Sequence, residues 1–303
     1  MEQFIQTEKI IGYTGHSSAV YCMVDKPGSM FFYSAGGDGK IVQWHKDGST
    51  ADGYLMADTD AKIFSMCYLD AQEILIAGDI NGHVYWIDTL SNKIINRIIG
   101  HKGSVFGFCK TEDNLFSIGA DGFLCKWDIG RRYPVESVRI SHQGLRSIVH
   151  DDDQNIIYIG ASDNGIYAVD TSDLKVLANE KMAHNNTVFS LSLTDQNLLL
   201  SGGRDAQLQI RKRVSMELLK SLPAHWFTIN SILSIPELEI IMTASRDKTI
   251  RLWDIAGFEL VKTLDVKNGG HINSVNTLLW LPEHNYLVSA GDDRTIILWH
   301  IFK

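Results

Sequence analysis

Histidines recur along this chain at a nearly constant interval. Six of its 11 histidines belong to the series, and a threonine fills the one double-length gap. The positions are His16, Thr59, His101, His142, His184, His225 and His271. The successive steps are 43, 42, 41, 42, 41 and 46 residues. Seven such units use nearly all of the 303 residues, so we expect one repeat domain over residues 1–303 with these positions as approximate unit starts.

The pattern inside one unit predicts four short strands. In residues 222–255 and 269–301, short runs of alternating apolar and polar residues are separated by turn residues, which is the two-residue period of β-strands. A repeat of about 40 to 45 residues is typical of propellers with four-stranded blades. We therefore expect an all-β fold, a seven-bladed β-propeller of four-stranded antiparallel blades. The strands of a blade are called a to d from the inside outward.

The last unit lacks a fourth strand of its own. The chain stops at Lys303, just after the third apolar run of that unit. Residues 8–13 precede the first histidine and resemble the outer strands expected at 93–99 and 259–264. We expect residues 8–13 to supply the outer strand of the last blade, because a closed ring leaves no exposed sheet edge.

Two dipeptides recur in register with the histidine series. Gly-His opens units at residues 15–16, 100–101 and 270–271, and Trp-Asp ends units at 127–128 and 253–254. Over its whole length the chain resembles the WD40-repeat family. The resemblance implies a seven-bladed propeller that acts as a binding platform for proteins or peptides, and it implies no cofactor and no bound metal.

Four units carry a histidine, a serine or threonine, an aspartate and a tryptophan in register. The four sets are His16, Ser34, Asp38 and Trp44; His101, Ser117, Asp121 and Trp127; His225, Thr243, Asp247 and Trp253; and His271, Ser289, Asp293 and Trp299. Serine, histidine and aspartate form catalytic triads in hydrolases, but an active site is built once and this set occurs four times. In the resembling family the four residues form a hydrogen-bonded network within each blade, so we expect a structural role and no catalytic residue.

The other three units depart from this set. The departures are Thr59, Asn81 and Ile87 in unit 2, Val169 in unit 4 and Arg211 in unit 5. Unit 4 keeps His142 and Asp163. We expect these three blades to be held by apolar packing alone.

The resemblance also implies a contact surface, the top face formed by the d–a and b–c loops. One residue of each strand a is expected to point into that face, namely Tyr21, Phe64, Phe106, Arg146, Phe189, Asn230 and Asn276. Arg204 and Arg246 precede turn aspartates, and Trp226 and Phe227 lie in a short d–a loop. Aromatic residues and arginine are enriched at binding hot spots. We expect a peptide or protein partner with an apolar anchor and an acidic neighbour; the alternative is that the phenylalanines only fill the central channel.

Two other classes of function compete with a scaffold or adaptor. An enzyme would need acids, histidines or metal ligands facing the central channel, and the mapped positions contain none. A nucleic-acid-binding propeller would use the arginines and aromatic residues. With 28 basic and 36 acidic residues the net charge is −8, which disfavours binding to nucleic acid or to an anionic membrane.

The spacing of the cysteines indicates the kind of cellular compartment in which the protein works. None of the four, Cys22, Cys67, Cys109 and Cys125, forms a CxxC pair, so we expect buried thiols in a reducing environment. The first residues contain no long apolar run, so we expect no secretory signal. We therefore expect a cytoplasmic protein that is a monomer or a subunit of a larger complex.

Overall fold

The chain forms seven four-stranded antiparallel sheets in a computed structural model that describes residues 5–303. Residues 1–4 of the predicted domain lie outside the described part. The strands of blades 1 to 3 are β2 (Val20–Asp25), β3 (Phe31–Gly36), β4 (Lys40–His45) and β5 (Tyr54–Asp58); β6 (Ile63–Leu69), β7 (Ile74–Asp79), β8 (His83–Asp88) and β9 (Lys93–Ile99); and β10 (Val105–Lys110), β11 (Leu115–Gly119), β12 (Phe123–Asp128) and β13 (Tyr133–Arg139).

The remaining blades repeat this order. Blades 4 to 6 contain β14 (Leu145–Asp151), β15 (Ile156–Ala161), β16 (Ile166–Asp170) and β17 (Val176–Glu180); β18 (Val188–Leu193), β19 (Leu198–Gly203), β20 (Gln207–Lys212) and β21 (Leu218–Pro223); and β22 (Ile229–Ile235), β23 (Ile240–Ser245), β24 (Ile250–Asp254) and β25 (Leu260–Leu264). Blade 7 contains β26 (Val275–Leu281), β27 (Tyr286–Gly291), β28 (Thr295–Phe302) and β1 (Gln6–Thr14). The predicted seven-bladed all-β fold is confirmed.

The N-terminal strand closes the ring, as the sequence predicted. Strand β1 pairs antiparallel with β28, from Gln6 opposite Phe302 to Thr14 opposite Thr295. Tyr13 of β1 is fully buried against Trp44 of blade 1, with ring centroids 5.3 Å apart. This strand therefore completes blade 7 and also fastens it to blade 1.

The apolar core lies between neighbouring blades. One cluster joins Met242 and Leu252 of blade 6 to Leu278 and Ile297 of blade 7, and similar clusters join the other blades. The inner strands lie next to one another around the ring, with β26 beside β2. Each blade thus buries both of its faces against its neighbours.

Helical structure in residues 5–303 is limited to four 3-10 turns. They are Asp70–Gln72, Pro236–Leu238, Val266–Asn268 and Pro282–His284. Among the described residues, no helix has the length and apolar character that a membrane crossing needs.

The b–c turns and the d–a loops form one continuous face. In blade 3, the Ala120 N–H donates to Ser104 O of its own d–a loop at 2.9 Å, and Gly122 O accepts from Ser141 N of the next loop at 3.3 Å. Gly122 has φ +80°, and a Cβ there would stand 2.1 Å from Ser141 O. Only glycine fits this close approach. The two hydrogen bonds hold the b–c turn between its own d–a loop and the next one.

Candidate functional site

The complete blades each contain a closed hydrogen-bonded network. In blade 3, His101 Nδ1 lies 3.0 Å from Asp121 Oδ1, and His101 Nε2 lies 2.7 Å from Ser117 Oγ. The same oxygen accepts from Trp127 Nε1 at 2.8 Å. The corresponding contacts occur in blades 1, 6 and 7, within the sets His16, Ser34, Asp38 and Trp44; His225, Thr243, Asp247 and Trp253; and His271, Ser289, Asp293 and Trp299.

These networks are closed to substrates. The four hydroxyl-bearing residues are 0% exposed, and each hydroxyl is held between an imidazole and an indole. A nucleophile must reach the bond that it attacks, and solvent does not reach these oxygens. The geometry supports a structural role for all four sets.

The carboxylates of the networks are held in the ionised form. Burial by itself would raise the pKa of Asp293, but hydrogen bonds and charge from His271, together with bonds from Thr295, lower it to about 2. Asp247 is shifted in the same direction by His225 and Thr249. Burial lowers the pKa of His225 despite the neighbouring carboxylate. At neutral pH the blade 6 network therefore contains the neutral imidazole of His225 beside the carboxylate of Asp247.

Blades 2 and 4 replace the network with a tyrosine–aspartate pair. In blade 2, Tyr85 OH donates to Asp79 Oδ2 at 3.0 Å, and His83 Nδ1 lies 2.9 Å from the same oxygen. In blade 4, Tyr167 OH donates to Asp163 Oδ2 at 2.6 Å. Each tyrosine follows the c-strand residue that pairs with a glycine of strand b, Gly78 in blade 2 and Gly160 in blade 4. The prediction that these blades are held by apolar packing alone was therefore wrong.

Blade 4 also corrects one predicted unit start. Ser141 is buried, its N–H donates to Gly122 O, and its hydroxyl donates to Asp163 at 2.5 Å. The neighbouring His142 is exposed. Ser141 thus takes the place that histidine holds in the complete blades, and His142 lies one residue outside it.

Blade 5 keeps the histidine, serine and aspartate of the network and replaces its tryptophan with arginine. His184 lies 3.0 Å from Asp205 Oδ1 and 2.8 Å from Ser201 Oγ. Buried Arg211 donates from Nη1 to Met216 O at 2.8 Å, and from Nη2 to Gln209 Oε1 at 2.8 Å. This blade too is held by polar bonds, so the prediction of purely apolar packing was wrong here as well.

The seven residues predicted to face the contact surface share a backbone irregularity. In every inner strand the pairing register with strand b shifts across that residue. In β10, for example, Val105 pairs with Gly119 and Gly107 with Ile118, which leaves Phe106 unpaired. A β-bulge of this kind redirects a side chain and is common beside functional sites. The seven are Tyr21, Phe64, Phe106, Arg146, Phe189, Asn230 and Asn276.

All seven bulge residues line one cavity of about 280 Å³, the central channel. The aromatic ones form a row, with ring centroids 5.0 Å apart for Tyr21 and Phe64 and 5.6 Å apart for Phe64 and Phe106. Arg146 continues the row, its guanidinium 4.0 Å from the Phe106 centroid and 5.7 Å from the Phe189 centroid. Among the described lining residues, Arg146 carries the only charged side chain.

The other side of the channel is polar and internally bonded. Asn230 Nδ2 donates to Val275 O at 2.9 Å, and Asn276 Nδ2 donates to Val20 O at 3.0 Å. Each asparagine thus bonds the inner strand of the next blade. These two residues hold neighbouring blades together in addition to facing the channel.

The remaining predicted contact residues lie together on the top face. The loop with Trp226 and Phe227 is bonded on one side to the turn that contains Arg204, through Ala224 N to Ala206 O at 3.1 Å. On the other side, Arg246 N donates to Thr228 O at 3.0 Å. Trp226 is 82% exposed and Phe227 58% exposed. Two exposed aromatic side chains therefore lie between two exposed arginines.

Sequence reasoning missed a third exposed apolar side chain in this region. Ile272 is 65% exposed and follows His271 as Trp226 follows His225. A count of one residue past each histidine would have found it. No group of three or more histidine, cysteine, aspartate or glutamate side chains that could hold a metal ion occurs in residues 5–303.

The fold and the networks define a class of protein, the seven-bladed β-propeller with repeated blade networks. A family model described as "WD domain, G-beta repeat" matches residues 7–45, 216–254 and 258–300. The chain therefore contains repeats that match this WD40 model, within a seven-bladed propeller. It superposes on the crystal structure of the WD40 β-propeller domain of Doa1 with a TM-score of 0.86, covering 98% of this chain and 97% of that one at 18% identity, a likeness that shows the fold alone.

Curated relatives match over shorter stretches. The WD repeat domain-containing protein 83 homolog of Dictyostelium discoideum is 29% identical over 113 residues, which is 36% of this chain and 34% of that protein. The p21-activated protein kinase-interacting protein 1-like of Gallus gallus is 28% identical over 116 residues, 38% of this chain and 31% of that protein. The aligned regions thus span about a third of these relatives.

Proposed function

We propose that this propeller is a non-catalytic interaction scaffold that binds a peptide or protein on its top face, over the mouth of the central channel. The observation that carries the proposal is the bulge in all seven inner strands. Each bulge turns one side chain into the channel. The aromatic row and the loop with Trp226 and Phe227 then offer apolar contact area beside arginine.

The composition of this surface suits binding. Large exposed apolar side chains grouped together mark interaction sites more often than scattered ones do. Aromatic rings lose little conformational entropy when they are covered, and arginine adds directed hydrogen bonds. The name of the p21-activated protein kinase-interacting protein 1-like describes that relative as an interacting protein, which supports the same class of function for this chain.

The channel lining favours a scaffold over an enzyme. Its described residues include no histidine, aspartate, glutamate or lysine. General acid–base catalysis needs a group that exchanges protons near neutral pH, and arginine stays protonated. The candidate triads lie elsewhere, inside the blades and out of reach of solvent.

The cysteines support a reducing compartment for this scaffold. Cys22, Cys67, Cys109 and Cys125 are all free thiols, and burial raises the pKa of Cys125 to about 12. We propose a cytoplasmic location, with which free thiols are compatible. Cell fractionation with markers for the cytoplasm and the nucleus tests the placement, and a purely nuclear distribution would contradict it.

A pull-down from native lysate tests the binding face. Wild type is compared with Phe106→Ala/Arg204→Ala and with a matched control, Tyr133→Ala/Arg139→Ala. The control removes an exposed aromatic residue and an exposed arginine from the outer strand β13. We expect proteins retained by wild type and by the control to be lost from the first double variant, with melting curves that stay close to wild type. Equal retention by all three proteins would refute the top face as the binding site.

A further inference from the structure

Arg146 is held in a fixed orientation inside the channel. It is the bulge residue of β14, and its guanidinium lies between the rings of Phe106 and Phe189, at 4.0 and 5.7 Å from their centroids. Its Nε donates to Ser162 Oγ at 3.0 Å. Stacking and this single bond restrict the side chain before any ligand arrives, so little further entropy is lost on binding.

The rest of the Arg146 guanidinium has no partner in the described chain. Neither Nη group donates to an acceptor, and no carboxylate of residues 5–303 lies within ion-pair distance. Other inward-facing arginines differ in this respect. The Nη groups of Arg211 bond three acceptors, and Arg213 pairs with buried Asp151 at 3.2 Å. The Nη groups of Arg211 and Arg213 are thus bonded, although the Nε atom of each has no partner. Arg146 shows the reverse arrangement, because its Nε is bonded and its Nη donors are open to the channel.

The surroundings of Arg146 would strengthen its attraction to an anionic group of a ligand. Burial lowers its pKa, which reflects lost hydration, although the group stays protonated at neutral pH. Its nearest neighbours are two phenyl rings and a serine hydroxyl, and none of them compensates the positive charge. An ion pair is stronger where water is partly excluded. A planar guanidinium also matches two oxygens of a carboxylate or a phosphoryl group.

We propose that Arg146 is an anion-binding residue, and that the channel takes an anionic group of the bound peptide through the Arg146 Nη donors. The carbon chain next to that group would rest on Phe106 and Phe189. The anion is a side-chain carboxylate, a C-terminal carboxylate or a phosphoryl group, which share the same pair of acceptor oxygens. The inference rests on the proposed function, because the peptide must lie over the channel mouth to place this group.

Peptide libraries test the inference directly. Four randomised octapeptide libraries are panned on the immobilised full chain: central glutamate, central phosphoserine and central glutamine with amidated C termini, and central glutamine with a free C terminus. Retained peptides are counted by mass spectrometry. We expect wild type to retain at least one anionic library about 10- to 100-fold more than the amidated glutamine library, the range for a charge-assisted hydrogen-bonded pair. The library that wins identifies the source of the anion.

Two variants decide the role of Arg146. Arg146→Gln is expected to lose the preference for the anionic library, and Arg146→Lys, which keeps the charge without the planar fork, to keep part of it. Arg139→Gln is the matched control, because Arg139 also stacks on a ring, that of Phe123 at 4.6 Å, but lies on the outer strand β13. An unchanged preference in a folded Arg146→Gln variant, or equal retention of all four libraries by wild type, would overturn the proposal.

A third variant separates this inference from the proposed function. Trp226→Ala/Phe227→Ala removes the exposed aromatic pair outside the channel. If it abolishes peptide retention while Arg146→Gln leaves the preference for the anionic library unchanged, the top face binds peptides and only the assignment of anion binding to Arg146 is refuted. If none of these variants alters retention, or if wild type retains no peptide above a blank surface, both proposals fail.

Discussion

Two sets of side chains follow the blade repeat of this propeller: the hydrogen-bonded network, complete in four of the seven blades, and the bulge residue of each inner strand. The network residues of blade 3, His101, Ser117 and Asp121, are tied to one another by bonds of 2.7 to 3.0 Å. The bulge residue of the same blade, Phe106, is half-buried in the channel and contacts only other bulge residues among the aromatic and cation–π pairs. The first set keeps the same chemistry in four blades, whereas the second changes from tyrosine to phenylalanine, arginine and asparagine. Repetition therefore accompanies the structural set, and variation at a fixed position accompanies the surface proposed to bind a partner.

Blades 2, 4 and 5 show that different residues can form the hydrogen bonds that stabilise a blade. Tyr85 and Tyr167 reach their aspartates from strand c, and the Nη groups of Arg211 bond three acceptors in place of an indole bond. In each case a buried polar group still has a partner, because an unsatisfied one would cost about 1 to 3 kcal/mol. The channel residue Arg146 is the contrast, since its Nη donors find no acceptor in the described chain.

The largest effect is expected from Asp247→Ala. Its carboxylate accepts from Trp226 N at 3.1 Å and Thr249 Oγ1 at 2.6 Å and lies 2.8 Å from His225 Nδ1. Removing it deprives the buried His225 imidazole and the half-buried Thr249 hydroxyl of their acceptor, so we expect the free energy of unfolding to fall by about 3 kcal/mol. Chemical denaturation measures the loss. Asp195→Ala, at an exposed turn, is the control and should change little; an Asp247→Ala variant as stable as this control would contradict a structural role.

A smaller loss is expected from Tyr167→Phe in blade 4. The substitution removes one hydroxyl that donates to Asp163 at 2.6 Å, while Ser141 and Gly165 N still bond the same carboxylate. We expect a loss of about 1 kcal/mol in the free energy of unfolding, again by denaturation. No loss at all would mean that blade 4 does not depend on its substitute network.

Acid should weaken the complete blades in a defined pH range. Burial lowers the pKa of His16 and His225 below the ordinary 6.5, so the unfolded chain takes up protons that the folded state excludes. Their contribution to stability is complete above about pH 6.5 and is lost as the pH falls toward the lower folded pKa values. We expect the melting temperature to decrease between pH 7.5 and 5. A melting temperature that rises as the pH falls over this range would contradict a lowered pKa of His16 and His225.

Most of the fold was readable from the sequence because the repeat fixed the blade spacing. The closing strand was predicted at residues 8–13 and lies at Gln6–Thr14. The seven bulge residues were identified from the sequence as positions facing the top face, but the bulges themselves were not, since a shift of one residue cannot be recognised in an alternating run of only six or seven residues. The choice between Ser141 and His142 depended on a loop length that spacing alone leaves open.

The substitute networks were missed for a different reason. Asp79 and Tyr85 are six residues apart and meet only because strands β7 and β8 pair around a tight turn. A search of blade 2 for histidine, serine, aspartate and tryptophan at the network positions does not find this pair. The buried carboxylate of Asp79 nevertheless has a hydrogen-bond partner in Tyr85. Polar pairs of this kind depend on three-dimensional register more than on residue identity.

Two variants within blade 3 test most directly whether the networks provide stability and the channel provides binding. Asp121→Ala and Phe106→Ala are compared for melting temperature and for retention of the partners that wild type captures. Pull-downs are run below the melting temperature of both variants. We expect Asp121→Ala to lower the melting temperature and keep the partners, and Phe106→Ala to change the free energy of unfolding by less than about 1 kcal/mol and lose them. Loss of partners from both variants in parallel with stability, or retention by Phe106→Ala, would contradict the assignment of binding to the channel and of stability to the networks.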